Sequence, residues 1–231
     1  FFKALLFLGA GSVSHSTNTF DMKKMGGLRH SMPLTYVMFI VGALSLSGII
    51  PLAGFWSKDE ILIDTWHHNK AIFFFGLFAA GLTAFYMFRA IFMTFHGDYR
   101  GGEPVLPGEH GNEDPAHPHE SPRSMVLPMG VLTMLAVVAG FITIDGEIQT
   151  WLLNALPEAA EEAKLVWNTP IFIVSTLLAL TGIGIAYLGY EAKRIDLTTL
   201  RDGPLRPLHQ LLENKYYMDV LIEDILVRKL F

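Results

Sequence analysis

The sequence predicts an all-α protein, a polytopic bundle of transmembrane helices in which one helix is broken. Its 231 residues are 51% hydrophobic and only 17% charged, whereas soluble domains carry about 25% charged residues. The charges gather in loops between apolar stretches, several of which reach the ~20 residues that a helix needs to cross a bilayer. One stretch contains Pro51 and Gly54, and both residue types interrupt helices.

The apolar stretches divide the chain into five membrane segments and a polar end. Residues 1–15 are apolar but too short to cross a bilayer, so we interpret them as a truncated transmembrane helix and expect the sequence to be part of a longer chain. Residues 33–67 form the broken transmembrane helix. Residues 191–231 turn polar and lead into an amphipathic helix of a kind that lies along a membrane surface or against partner helices. Unbroken spans are predicted at 71–95, 124–144 and 170–190.

Lysine and arginine are distributed unevenly between the polar segments. The segments at 16–32, 96–123 and 191–231 carry twelve of them, and those at 67–70 and 145–169 carry two. Cytoplasmic loops of membrane proteins are enriched in these residues. The first group of segments is therefore predicted to lie on the cytoplasmic side.

The broken stretch carries three consecutive charges, Lys58, Asp59 and Glu60, directly after the helix breakers. Ser57 followed three residues later by Glu60 is a capping-box pattern, so a second helix is predicted to start at Ser57. If this break lies inside the membrane, Lys58 is a buried cation at a helix N-terminus, where transport sites are typically built. If it lies at the surface, these residues are an ordinary solvated helix start, and spacing alone slightly favours this second interpretation.

Three other titratable residues lie within or at the end of predicted spans. Lys3 fits a buried proton carrier and fits equally well a flanking side chain that reaches the headgroups. His15, at a helix end, is more typical of an interfacial or capping residue. Arg89 shares a helix face with Tyr86, but it lies near the end of its span, so reaching the headgroups is an equally good interpretation.

Metal and thiol chemistry find little support in the sequence. The chain has no cysteine, which excludes disulfides and thiolate metal sites. His110, His117 and His119 lie in a loop rich in glycine, proline and acidic residues. They lack the spacing of a zinc site, so we interpret the segment as a solvated loop and expect no bound metal.

Several short motifs carry a resemblance to a known family. In order they are FKALLF at 2–7, DMKKMGGL at 21–28 and GFWSKDEIL at 54–62, followed by FYMFR at 85–89 with FHG at 95–97, and NKYYMD at 214–219. The chain resembles, over most of its length, the distal antiporter-like subunit of respiratory complex I, the proton-pumping NADH:quinone oxidoreductase. That subunit is chain L in bacteria and subunit 5 in mitochondria.

The resemblance implies the complex I/Mrp antiporter-like fold and places the broken helix inside the membrane. It implies that Lys58 is the proton-site lysine of the broken helix. By position, Lys3 matches a central-axis lysine of the preceding helix and Arg89 an arginine of the following helix. His15 and Asp59 are weaker candidates for the same proton path.

Lysine suits such a site because its charge can be tuned. In water its pKa is about 10.4, too high to release a proton at neutral pH, but burial disfavours the ammonium form of a lysine. Because adjacent residues of a helix point in different directions, Asp59 need not neutralise Lys58.

The predicted function is proton translocation as a non-redox subunit of this translocase, driven at a distance by quinone reduction in other subunits. The resemblance implies no flavin, iron–sulfur cluster, quinone or other cofactor in this chain. Its expected partners are other membrane-arm subunits and the lipid bilayer, not nucleic acid, and its expected location is a bacterial plasma (inner) membrane rather than an organelle.

One alternative is a subunit of a multi-subunit sodium/proton antiporter, which shares the fold and a similar lysine. Another is a membrane scaffold without a transport role.

Overall fold

The computed structural model describes residues 1–104, 114–142, 169–195, 203, 206–220 and 222. All regular secondary structure in these residues is helical, so the predicted all-α fold is confirmed. The first compact unit, Phe1–Glu191, contains six α-helices among its described residues. They are α1 Phe2–Thr17, α2 Pro33–Ser47, α3 Ala53–His68, α4 Lys70–Phe95, α5 Arg123–Ile142 and α6 Thr169–Ala186, which continues as a π-helix, Tyr187–Glu191.

Three described helical segments are long and apolar enough to cross a membrane: Lys70–Phe95, Arg123–Phe141 and Thr169–Glu191. Helix α2 is a shorter apolar helix. Large apolar side chains point away from the bundle, among them Phe7, Phe75, Phe78 and Leu127. Exposed apolar surface of this kind is typical of contact with lipid or with other membrane helices.

Small residues let the helices approach closely, as is typical inside membranes. A Cβ atom on Gly182 of α6 would lie 2.5 Å from the carbonyl oxygen of Gly81 on α4. A Cβ atom on Gly42 of α2 would lie 3.1 Å from side-chain atoms of Leu5 and Leu6 on α1. Helices α4 and α6, and helices α1 and α2, therefore pack at short range because these positions have no side chain.

The break between α2 and α3 runs from Gly48 to Leu52. Gly48 ends α2 in a left-handed conformation with φ of 75°, which glycine adopts without a steric penalty. The prediction that the second helix starts at Ser57 is wrong, because α3 begins four residues earlier at Ala53. Ser57 lies inside α3, where its hydroxyl donates to the carbonyl of Ala53 at 3.5 Å.

A side chain from α2 explains the earlier start of α3. The first backbone N–H groups of a helix lack partners within the helix. The N–H of Gly54 donates to the hydroxyl of Ser45 on α2 at 3.3 Å, so α3 takes part of its cap from the other half of the broken helix. A capping pattern within the local sequence is not needed for this start.

The second compact unit, Ala192–Phe231, contains helices α7 Arg206–Glu213 and α8 Met218–Val220 among its described residues. Lys215 and Asp219 form an exposed ion pair of 2.7 Å between the ammonium and the carboxylate. Most of the amphipathic helix predicted at 219–231 lies outside the described residues, as does much of the predicted polar segment at 145–169.

Candidate functional site

Lys58 bridges the two halves of the broken helix. Its side chain is half-buried, and its ammonium donates to the carbonyl oxygen of Ser47, the last residue of α2, at 2.7 Å. The last carbonyl groups of a helix have no partners within the helix and carry partial negative charge. The partner of the Lys58 ammonium is therefore a neutral dipole. A lysine with such a partner can lose its proton without leaving a buried carboxylate unpaired.

Asp59 is buried on a different side of α3. Its side chain is 1% exposed, and its Oδ1 accepts a hydrogen bond of 2.6 Å from the hydroxyl of Ser175 on α6. Its Oδ2 has no hydrogen-bond partner among the described residues. No ion pair joins Asp59 to Lys58 in the part of the chain that the structure describes. Neighbours in sequence thus place an amine against α2 and a buried carboxyl group against α6.

The structure does not place the other predicted site residues beside Lys58. Arg89 donates from Nε to the hydroxyl of Tyr190 at 2.9 Å, and its guanidinium lies 5.5 Å from the centre of the Tyr190 ring. Lys3 is exposed on the first turn of α1. His15 is exposed near the end of α1, with its ring 6.5 Å from that of His119. The roles predicted for these three residues stay predictions.

Two polar groupings were missed by the sequence analysis. In the first, the Tyr36 hydroxyl lies 2.8 Å from His96 Nε2, and His96 Nδ1 lies 3.1 Å from a carboxylate oxygen of Glu191. These residues are distant in the chain, and the sequence pattern included His96 only within the FHG motif at 95–97.

The second grouping lies where α1, α2 and the residues preceding α5 meet. Glu120 accepts hydrogen bonds from the Leu34 N–H at 2.8 Å and the Thr35 hydroxyl at 2.5 Å, both at the start of α2. The Ser12 hydroxyl, buried on α1, lies 3.1 Å from the Thr35 hydroxyl and 2.6 Å from that of Ser121. This arrangement caps α2 with a carboxylate, which suits the positive end of a helix dipole.

The described residues contain no group of three histidine, cysteine or acidic residues able to hold a metal ion. His117 pairs with Asp114 at 2.8 Å on an exposed segment. His110 lies outside the described residues.

A comparison with known proteins identifies the family. Residues 1–83, which include Lys3, Lys58 and Asp59, match the family described as NADH:quinone oxidoreductase/Mrp antiporter, transmembrane. In an alignment 250 residues long, the chain is also 40% identical to NAD(P)H-quinone oxidoreductase subunit 5 of the organellar chromatophore of Paulinella chromatophora. This alignment covers 98% of this chain and 38% of the relative. The chain belongs to this antiporter-like family.

Further relatives of this antiporter-like family come from bacteria. NAD(P)H-quinone oxidoreductase chain 5 of Picosynechococcus is 38% identical, with 98% of this chain and 38% of the relative covered. NADH-quinone oxidoreductase subunit L of Rickettsia bellii is 34% identical, with 99% of this chain and 35% of the relative covered. The resemblance drawn from the motifs is confirmed, and the chain spans 38% of the length of the first two relatives.

Proposed function

We propose that this chain translocates protons across the membrane as part of NADH:quinone oxidoreductase, coupled at a distance to quinone reduction in other subunits. The observation that carries this proposal is the contact of Lys58 with the Ser47 carbonyl across the helix break. The names of the relatives support the choice of complex. The chain itself acts without a redox cofactor in this proposal, as a pumping subunit of the enzyme.

The geometry suggests how Lys58 exchanges its proton. When protonated, the amine is stabilised by the carbonyl end of α2. When neutral, it no longer carries a charge whose burial is costly. These opposing contributions allow a modest change in nearby charge to load or unload the amine. Arginine would lack this property because it stays protonated.

The second candidate is a subunit of a multi-subunit sodium/proton antiporter, because the description of the matching family includes Mrp antiporters. The quinone oxidoreductase relatives favour the first function. Replacing Lys58 in the full-length protein and counting the protons pumped per electron tests the first function directly. A sodium/proton antiporter subunit would instead exchange protons for sodium without electron transfer.

The chain is an integral membrane protein, and the location we propose is a bacterial plasma membrane. Relatives occur in bacteria, in chloroplasts and in a chromatophore. Other subunits of the quinone oxidoreductase are the proposed partners, and the exposed apolar faces of the helices suit contacts with such subunits and with lipid.

The orientation of the bundle is tested by cysteine labelling, since the chain has no cysteine of its own. Phe20 follows α1 and is 74% exposed, and His68 ends α3 with an exposed side chain. We expect a membrane-impermeant maleimide to label Phe20→Cys only from the cytoplasmic face, because this segment belongs to the group rich in lysine and arginine. His68→Cys is the matched control and should be labelled only from the opposite face. The reverse pattern would contradict the predicted topology.

Ser175 is expected to hold Asp59 in place, since its hydroxyl is the one hydrogen-bond donor that the described residues provide to this carboxyl group. Ser175→Ala should lower proton pumping roughly tenfold at unchanged assembly. A hydrogen bond to a charged group contributes about 1.5 kcal/mol, and losing that energy corresponds to a change of about tenfold. The control is Thr181→Ala, which removes a hydroxyl whose hydrogen bond in the described structure stays within α6, to the Leu177 carbonyl. Equal pumping in the two variants would show that Ser175 does not position Asp59.

A further inference from the structure

The imidazole of His96 lies where three elements meet. Its Nε2 is hydrogen-bonded, whereas its Nδ1 has a carboxylate within ion-pair distance but no hydrogen bond among the described residues. His96 directly follows the last residue of α4, as the C-cap of that helix. Tyr36 of α2 lies 2.8 Å from Nε2, and Glu191 at the end of the π-helix lies 3.1 Å from Nδ1. The His96 side chain is 13% exposed and that of Glu191 is 30% exposed. A carboxylate that reaches water and a half-buried phenol therefore lie on either side of a largely buried imidazole.

The surroundings of His96 fix its ring and limit the access of water. The Phe92 ring packs edge-on against it at 5.3 Å between centres, and the Tyr36 ring lies at 5.7 Å. The His96 carbonyl accepts from the N–H of Gly27 at 2.9 Å, which ties the residue to the basic loop between α1 and α2.

Two further features distinguish this cluster from simple packing. A π-helix, here Tyr187–Glu191, is rare and often marks a functional site. It carries Glu191 to His96 and Tyr190 to Arg89. An imidazole has a nitrogen on each side of its ring, so it can accept a proton on one side and release one on the other. Tyr36 also lies on α2, the helix whose last carbonyl binds Lys58.

We propose that His96, with Glu191 and Tyr36, is a proton-loading site on the lysine- and arginine-rich side of the membrane. This inference rests on the proposed pumping function. A proton from water passes through the Glu191 carboxylate to Nδ1 of His96, and the resulting imidazolium holds it beside that carboxylate while its Nε2–H donates to the Tyr36 oxygen. The step leaves the carboxylate unchanged and the imidazole with one added proton.

The test uses the assembled complex in inverted membrane vesicles, where the proposed loading side faces the medium. Proton uptake is measured at several pH values of the medium, and the wild type provides the reference pH profile. His96→Gln should lower uptake about tenfold and flatten this pH profile. The loss is smaller than the ~100-fold effect of removing an acid–base group, because water still reaches the Glu191 side. His209→Gln is the matched control, since His209 lies 3.9 Å from Glu213 in a more exposed pair, and it should keep the wild-type profile.

Two milder variants keep the test decisive if His96→Gln fails to assemble. Glu191→Gln removes the carboxylate charge and Tyr36→Phe removes the hydroxyl, and both leave the imidazole in place. Either variant should also lower uptake and flatten the profile. Wild-type uptake and pH profile in assembled Glu191→Gln and Tyr36→Phe, or in assembled His96→Gln, would overturn the inference. Lys58→Met measured in parallel separates the two proposals. Normal pumping in that variant would contradict the role proposed for Lys58, whereas reduced pumping there, with wild-type uptake in the variants of the His96 cluster, would contradict only the loading site.

Discussion

Lys58→Met is expected to reduce proton pumping roughly 100-fold or more, the scale of losing a group that transfers protons. Methionine keeps much of the length of the side chain but can neither hold a proton nor bond to the Ser47 carbonyl, which Lys58 contacts at 2.7 Å. The measurement is proton uptake per electron in inverted vesicles that contain the full-length protein, with assembly checked on a native gel. Electron transfer is expected to slow as well if the two processes are tightly coupled.

Lys58→Arg separates a proton carrier from a structural cation. Arginine keeps the positive charge and can bond to the same carbonyl, but it does not deprotonate in the working range. We therefore expect pumping to fall as strongly as in Lys58→Met. Lys23→Met, which removes an exposed lysine from the loop after α1, is the control and should pump normally. Normal pumping per electron in well-assembled Lys58→Met would refute the role proposed for Lys58.

Gly54→Ala is expected to prevent normal assembly of the protein. A Cβ atom at Gly54 would lie 1.8 Å from the carbonyl oxygen of Ser45, and a backbone atom inside α2 cannot move aside as a flexible side chain can. Overpacking a tight site costs about 1–3 kcal/mol and occasionally more, and contact with backbone places this variant at the upper end. The amount of assembled complex in the membrane and its thermal inactivation measure the effect.

The matched control for Gly54→Ala is Gly184→Ala. A Cβ atom at Gly184 of α6 would meet nothing within 4 Å in the described structure, and alanine has a higher helix propensity than glycine. We expect Gly184→Ala to assemble as the wild type does. If Gly54→Ala assembled equally well, the close approach of α2 and α3 at the break would be contradicted.

The sequence by itself determined the class of the protein and the presence of a break near Pro51. Long apolar stretches require helices inside a membrane, because the backbone has no water there to bond with. Pro51 and Gly54 predicted an interruption, and helix is absent from Gly48 to Leu52. The consecutive charges that begin with Lys58 indicated candidate proton-site residues. The motifs around them carried the resemblance to the family.

Only the tertiary structure decided where α3 starts and which groups meet. The cap of α3 includes Ser45 of α2, so the local pattern at Ser57 was a poor guide. Asp59 and Ser175 lie 116 residues apart in the chain, and His96 meets Glu191 only because α4 and α6 pack side by side. Apolar spans contain too little periodic information to show which helix faces join. The polar partners therefore follow from packing between helices, which local sequence does not specify.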